Sequence, residues 1–314
     1  MPELPEVETI VRGLRAKLPN LQLARIEVRL PKCIQTSKLS FIDCLKGRKI
    51  LDVQRRGKNI IIRLNREATL LVHLRMTGRL RFVPAHSSLE KHTHVIFSFK
   101  NHPCQLRFVD PRQFGRLLLE KKGPKEELDS LADLGPEPFE ISAKEFIHRV
   151  RSKHRAIKPL ILDQRFLAGV GNIYADEALH RARIHPCRKS DSLDEKTLRR
   201  LYHRLRRILR EAIRAGGTSV RTYVDANGSV GKFQNHLWVY GREGQPCHTC
   251  GGSIVRKRVG GRSSFHCPRC QPTLPSPLGD CAAILKSGSP DGRAFSRNHK
   301  VPPKAGFFHR NAVG

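Results

Sequence analysis

The sequence predicts an α+β chain of two domains. A β-sandwich with a flanking helix comes first, and a helical half ending in a metal-pinned β-hairpin follows. Three observations predict this. Residues 20–120 break into short runs rich in Val, Ile, Leu and Phe, separated by Gly, Pro, Asn or His. Residues 142–217 instead hold apolar positions at helical spacing. Two Cys-x-x-Cys pairs lie beyond them. At 314 residues the chain has length for about two such cores.

Charge narrows the partner. Lys and Arg total 59 against 28 Asp and Glu, a net +31 with pI near 10.6. That excess points to a polyanion, and nucleic acid is the foremost one. No long apolar run suggests a membrane, and no apolar signal core follows Met1, so a cytoplasmic location is expected. Of the nine cysteines, Cys33, Cys44, Cys104, Cys187 and Cys281 are scattered and odd in number. They read as reduced thiols, not disulfides.

In order, the chain opens on Met1-Pro2-Glu3-Leu4-Pro5-Glu6. Removal of Met1, readily trimmed before a small residue, would leave Pro2 as a secondary amine. An α-amino group titrates near about 7.7–8.0, so much of it is unprotonated and nucleophilic. Such an amine attacking a sugar aldehyde carbon gives an iminium, an electron sink. Glu3 beside it suits proton transfer. The same residues also read as a helix lead-in. Pro5 suits the first turn, Glu6 and Glu8 complement the helix N-terminus, and Val7, Ile10, Val11 and Leu14 form one buried stripe. Both readings hold together if the helix pins the amine.

Seven strands are expected: 23–30, 49–55, 59–65, 69–75, 94–100, 104–109 and 115–120. Three short sites lie among them. Arg55-Arg56-Gly57-Lys58-Asn59 bends at Gly57, turning Lys58 toward a groove or leaving a solvated basic hairpin. His73-Leu74-Arg75-Met76-Thr77-Gly78 puts Met76 at a strand-to-turn junction, as core filler or as a wedge for a base stack. Asp110-Pro111 opens a turn that projects Arg112 and Phe114 from a loop tip.

Residues 131–141, with Gly135, Pro136 and Pro138, break both periodicities and read as a hinge between residues 1–130 and 142–235. Ser142 and Glu145 form a capping box, and Ser192 and Glu195 a second that opens a long helix ended by Gly216-Gly217. Gly169-Val170-Gly171-Asn172 before an apolar helical run is a glycine turn that presents N–H groups to an anion, or merely connects helices. Thr218 to Phe233 reads as a mobile loop. In residues 236–272, Cys247-x-x-Cys250 and Cys267-x-x-Cys270 make a four-thiolate pattern for one structural Zn2+, with no open position for catalytic water. Residues 273–314 change to Pro, Gly, Ser, Lys and Arg, an expected disordered basic tail.

Together these motifs resemble bacterial formamidopyrimidine-DNA glycosylase, in one order from Met1-Pro2-Glu3-Leu4-Pro5-Glu6-Val7-Glu8-Thr9 to about residue 272. The resemblance implies a monomeric, nucleoid-associated repair enzyme. It would excise 8-oxoguanine and formamidopyrimidines from duplex DNA and cleave the abasic site by β,δ-elimination. It implies Pro2 as nucleophile, Glu3 as the proton-transfer group, and Lys58 and Arg262 on the lesion's sugar and phosphates. Met76, Arg112 and Phe114 would fill the gap left by the flipped nucleotide. His92 and Asn172 would contact DNA, the latter from a helix–two-turn–helix. The family's basic residue before Ala156-Ile157-Lys158-Pro159 falls on Lys153, His154 or Arg155. Thr218–Tyr223 would close over the base. Gln113 departs from the family's usual second Arg. The alternatives are an endonuclease VIII-like enzyme for oxidised pyrimidines, against which Leu4 and the trio argue, and a noncatalytic zinc-ribbon DNA binder.

Overall fold

The computed structural model describes residues 1–273 apart from 124, 125, 127, 220–225, 227 and 229. The expected basic tail beyond Thr273, and most of the loop expected at Thr218–Tyr223, lie outside the described residues.

Eight strands form two four-stranded antiparallel sheets. One runs β1 (Leu23–Val28), β6 (Thr93–Phe99), β7 (Cys104–Val109), β5 (Arg79–Pro84); the other runs β2 (Ile50–Arg56), β3 (Asn59–Leu64), β4 (Ala68–His73), β8 (Arg116–Glu120). The sheets face each other across one core, with Phe97, Leu106 and Phe108 from the first and Ile60, Ile62, Leu70 and Val72 from the second. This is the expected sandwich.

Two of its elements were not expected. β5 reads Arg-Leu-Arg-Phe-Val-Pro and lies at a sheet edge, where a terminal Pro and flanking arginines are tolerated. Helix α2 (Lys38–Leu45) starts where the Ser37 hydroxyl accepts the Ser40 N–H at 3.2 Å. It is short, and only Phe41 and Leu45 are buried, so its periodicity is faint.

Helix α1 (Leu4–Arg15) serves both halves. Val7, Ile10, Val11 and Leu14 enter the sandwich core, while Leu4 belongs to the core of the helical half. That second core is made by α3 (Ala143–Arg151), α4 (Ile157–Leu162), α5 (Asn172–Ala182) and α6 (Glu195–Arg214). Ser142 caps α3, accepting the Glu145 N–H at 3.1 Å. The second capping box is corrected: α6 is capped by Asp194, whose carboxylate accepts the Thr197 N–H at 2.7 Å, while the Ser192 hydroxyl donates to the Lys189 carbonyl. Asp194 sits at the boundary itself and offers a stronger acceptor than the serine two residues earlier. Among the described residues no helix is long and apolar enough to cross a membrane.

Strands β9 (Val255–Val259) and β10 (Arg262–His266) pair antiparallel, with Arg262 opposite Val259. The turn is Gly260-Gly261, with φ of 55° and 78°, which glycine alone adopts without strain.

Candidate active site

The chain start is pinned at the junction of the two cores. Pro2 is buried and Met1 exposed. The Leu4 N–H donates to the Gly169 carbonyl at 3.0 Å. The carboxylate of Glu3 accepts the Ile173 N–H at 3.0 Å and the Tyr174 N–H at 3.5 Å, in the first turn of α5. The anion on this helix N-terminus is therefore the protein's own side chain. The two glycines before it make room for α1: a Cβ on Gly171 would stand 2.2 Å from Cδ of Glu3, and one on Gly169 2.8 Å from Cδ1 of Leu4.

Glu6 lies beneath, 1% exposed. It accepts the Glu3 N–H at 2.8 Å, the Tyr174 hydroxyl at 2.5 Å and the Thr218 N–H at 2.7 Å. Burial, aided by the charge of Glu3, pushes its carboxyl up to about 7. Glu6 thus ties the start of the chain to α5 and to the first residue of the 218–223 segment.

Lys58 follows the turn between β2 and β3, where Gly57 has φ of 58°. The turn is held by buried Glu137, from the stretch read as a hinge. Its carboxylate accepts the Gly57 N–H at 2.6 Å, Arg55 Nη1 at 2.8 Å and Arg56 Nη1 at 3.2 Å. Lys58 is 8% exposed. Burial lowers its ammonium below the ordinary value, the charge of Glu3 opposes this, and Arg262 adds to it. Glu3, at the N-cap of α1, and Arg262, at the start of β10, thus both act on Lys58 in the β2–β3 turn. Beside Lys58 opens a cavity of about 300 Å³ lined also by Asn59, His73, Arg75, Arg116 and Gln164. Burial, with the charges of Arg75 and Lys58, depresses His73 to about 4, so it stays neutral at physiological pH.

Met76, Arg112 and Phe114 share one platform. Met76 is 39% and Phe114 49% exposed, and the guanidinium carbon of Arg112 sits 4.8 Å from the Phe114 ring centroid. Fully buried Asp110 builds the platform: it accepts the Gly115 N–H at 2.7 Å and the Arg112 N–H at 3.2 Å, and bonds the Thr77 hydroxyl. His92 joins it, its carbonyl accepting the Asp110 N–H at 3.0 Å.

On the helical side, Asn172 Nδ2 donates to the Ser263 carbonyl at 2.9 Å, and its Oδ1 is buried without a partner. Of the three basic residues before α4, His154 pairs with Asp191 at 2.7 Å and Arg155 with Asp163 at 3.0 Å. Lys153 is exposed, with no ion pair among the described residues. Arg262, exposed at the hairpin tip, is steadied from below. Lys158, fully buried, donates to the Ser263 carbonyl at 2.9 Å and Ser264 Oγ at 2.7 Å, and pairs with buried Asp176 at 2.7 Å. Asp176 also accepts the Phe265 N–H at 3.0 Å.

The sulfurs of Cys247, Cys250, Cys267 and Cys270 lie within 4.8 Å of one another, with Cys250–Cys267 at 3.4 Å and Cys247–Cys270 at 3.8 Å. A tetrahedron with ~2.3 Å Zn–S bonds has edges of roughly 3.8 Å, so the donor set fits one structural zinc.

Sequence reading missed Glu6, His73, Asp110, Glu137, Lys158 and Asp176 as parts of this site. The partners of Glu6, Glu137, Lys158 and Asp176 that matter here are far away in the chain, so no local spacing marks them, while Asp110 bonds within its own turn and reads there only as a turn former.

Three family models match: "Formamidopyrimidine-DNA glycosylase N-terminal domain" over residues 1–117, "Formamidopyrimidine-DNA glycosylase H2TH domain" over 134–224, and "Zinc finger found in FPG and IleRS" over 244–273. The chain is 51% identical over 274 residues to the formamidopyrimidine-DNA glycosylase of Pelotomaculum thermopropionicum, covering 86% of this chain and 99% of that one. Among solved structures it is similar to MutM in complex with carbocyclic 8-oxo-G containing DNA, at 36% identity, TM-score 0.80, covering 87% of this chain and 100% of that one. It is similar also to the Lactococcus lactis protein with Fapy-dG containing DNA, at 36% identity, TM-score 0.80, covering 86% and 100%.

Proposed function

The chain belongs to the formamidopyrimidine-DNA glycosylase family, and from that premise we propose how its own residues carry out lesion excision. It is a DNA glycosylase and abasic-site lyase of base-excision repair. Its substrate is duplex DNA carrying 8-oxoguanine or a formamidopyrimidine. The flipped nucleotide enters beside the chain start. With Met1 removed, the Pro2 nitrogen attacks C1′ as the C1′–N9 bond breaks, and the base leaves with a proton. Glu3 protonates the ring oxygen as the sugar opens to an iminium. Loss of a 2′ proton expels the 3′ phosphate, and a second elimination expels the 5′ phosphate. Lys58 and Arg262 hold those phosphates, with Asn172, Lys153 and His92 on the backbone. Met76, Arg112 and Phe114 fill the vacated stack. The zinc folds the hairpin that carries Arg262 and takes no part in the chemistry. The enzyme works as a monomer in the cytoplasm, at the nucleoid.

The observation that carries this reading is the placement of buried Lys58 within the fields of Glu3 and Arg262, beside a chain start fixed by the N–H groups of α5. Borohydride trapping on an abasic duplex tests it. The expected covalent adduct maps by peptide mass to Pro2. A mapping to Lys58, or no adduct from active protein, overturns the assignment. Thymine glycol cleaved faster than 8-oxoguanine would overturn the lesion class.

A further inference from the structure

Helix α6 contains eight Lys or Arg and two Glu in twenty residues. Thr197, Leu198, Leu201, Leu205, Ile208 and Leu209 are buried against α1, α3 and α5. The other side is a stripe of Lys196, Arg199, His203, Arg207, Arg210 and Arg214, all exposed. The residues are three or four apart, so they form one row about 27 Å long at ~1.5 Å per residue. The row turns away from α1, which Glu3 precedes as N-cap, and from α5, which begins at Asn172.

A solvated helix surface is normally stabilised by alternating charges one turn apart. Here Glu195–Arg199 and Arg207–Glu211 do so, each at 2.7 Å. Against them stand four like-charged pairs at the same spacing: Lys196–Arg200, Arg200–Arg204, Arg206–Arg210 and Arg210–Arg214. These repel and weaken the helix that bears them. Lys196, Arg204, Arg210 and Arg214 have no acidic partner among the described residues. A polyanion laid along the row would relieve the repulsion at its members Lys196, Arg210 and Arg214.

We propose that this stripe is a second DNA-binding surface, on which a duplex separate from the one in the active-site groove is held by its phosphates. Duplex nucleic acid fits better than other polyanions. The row spans about eight base pairs at ~3.4 Å each. It lacks the aromatic and Met anchors of a protein interface. The apolar side of α6 is spent in the core, leaving nothing to enter a bilayer. Such a surface gives sequence-independent, salt-sensitive affinity and lets one molecule touch two duplex segments at once.

The test uses the full chain and the variant Lys196→Gln/Arg199→Gln/Arg210→Gln/Arg214→Gln. Each protein is first saturated with a short duplex carrying an uncleavable abasic analogue. A labelled undamaged duplex is then titrated and followed by anisotropy at several salt concentrations. The saturated wild type should bind it, and the variant about tenfold or more weakly, with a salt slope lower by roughly 3–4. Cleavage of a short abasic duplex should be the same for both proteins. Equal binding and slope for the variant would overturn the proposal. So would a saturated wild type that ignores the second duplex, or one that binds polyglutamate or anionic vesicles in its place.

Discussion

Gly171 stands against Glu3 so closely that a Cβ there would lie 2.2 Å from Cδ of the carboxylate. The contact fixes Glu3 over the first N–H groups of α5, and with it the start of α1. Gly171→Ala forces one of them to move. Single-turnover excision of 8-oxoguanine should fall about 10²-fold, within the range of a lost proton-transfer group. Stability should drop by only about 1–3 kcal/mol. Excision at the wild-type rate would show that Glu3 need not sit there.

Glu137 gathers three donors on one carboxylate, the Gly57 N–H and two arginines, just before Lys58. Glu137→Ala leaves Arg55 and Arg56 without that charge. Urea unfolding should show a loss of about 3–5 kcal/mol. Lyase activity should fall at temperatures where the variant is still folded, because the turn that aims Lys58 is released. A fully active variant would mean that Lys58 is positioned from elsewhere.

Glu6 predicts a pH dependence of stability. Its carboxyl is raised from 4.5 to about 7 in the folded chain. Between those values the folded state holds a proton the unfolded state has lost, so stability is fully present below about 4.5 and declines as pH rises toward about 7. The span corresponds to about 3 kcal/mol. Glu6→Gln should flatten this segment of the stability curve. An unchanged slope would place the titrating group elsewhere.

The Lys158–Asp176 pair is buried at 0% and 1% exposure and anchors the strand behind Arg262. Lys158→Met strands the Asp176 carboxylate and should remove about 3–5 kcal/mol. Lys158→Met/Asp176→Leu should recover much of that loss. Neither variant restores the bonds to Ser263 and Ser264, so the second elimination should remain slow in both. Gel resolution of β- from β,δ-products gives the readout.

Zinc should be present at one ion per chain by native mass spectrometry. Cys250→Ala or prolonged chelation should release it and unfold the β9–β10 hairpin, since the pair of knuckles has little core beyond Val239 and Ile254. Affinity for an abasic duplex should then fall by at least about tenfold, while the sandwich melts as before. Retained affinity without zinc would show that Arg262 does not depend on the finger.

What residue order alone decided were the features that repeat over a few positions. The sandwich strands, the stripe of α1, the Ser142 cap and the two cysteine pairs follow from spacings of two to four residues, which short-range geometry enforces. The edge strand β5, helix α2 and the Asp194 cap escaped because their local patterns are weak or compete with a neighbour's. Only the folded chain decided which distant groups meet. Glu3 reaches the Ile173 N–H across 170 positions, and Thr218 reaches Glu6 across 212. Lys158 finds Asp176 and the strand behind Arg262, and Glu137 finds Gly57. Each is a buried polar group that must be satisfied by some partner, and the amino-acid order says that a partner is required without saying which. Packing α1 between the two cores settles it.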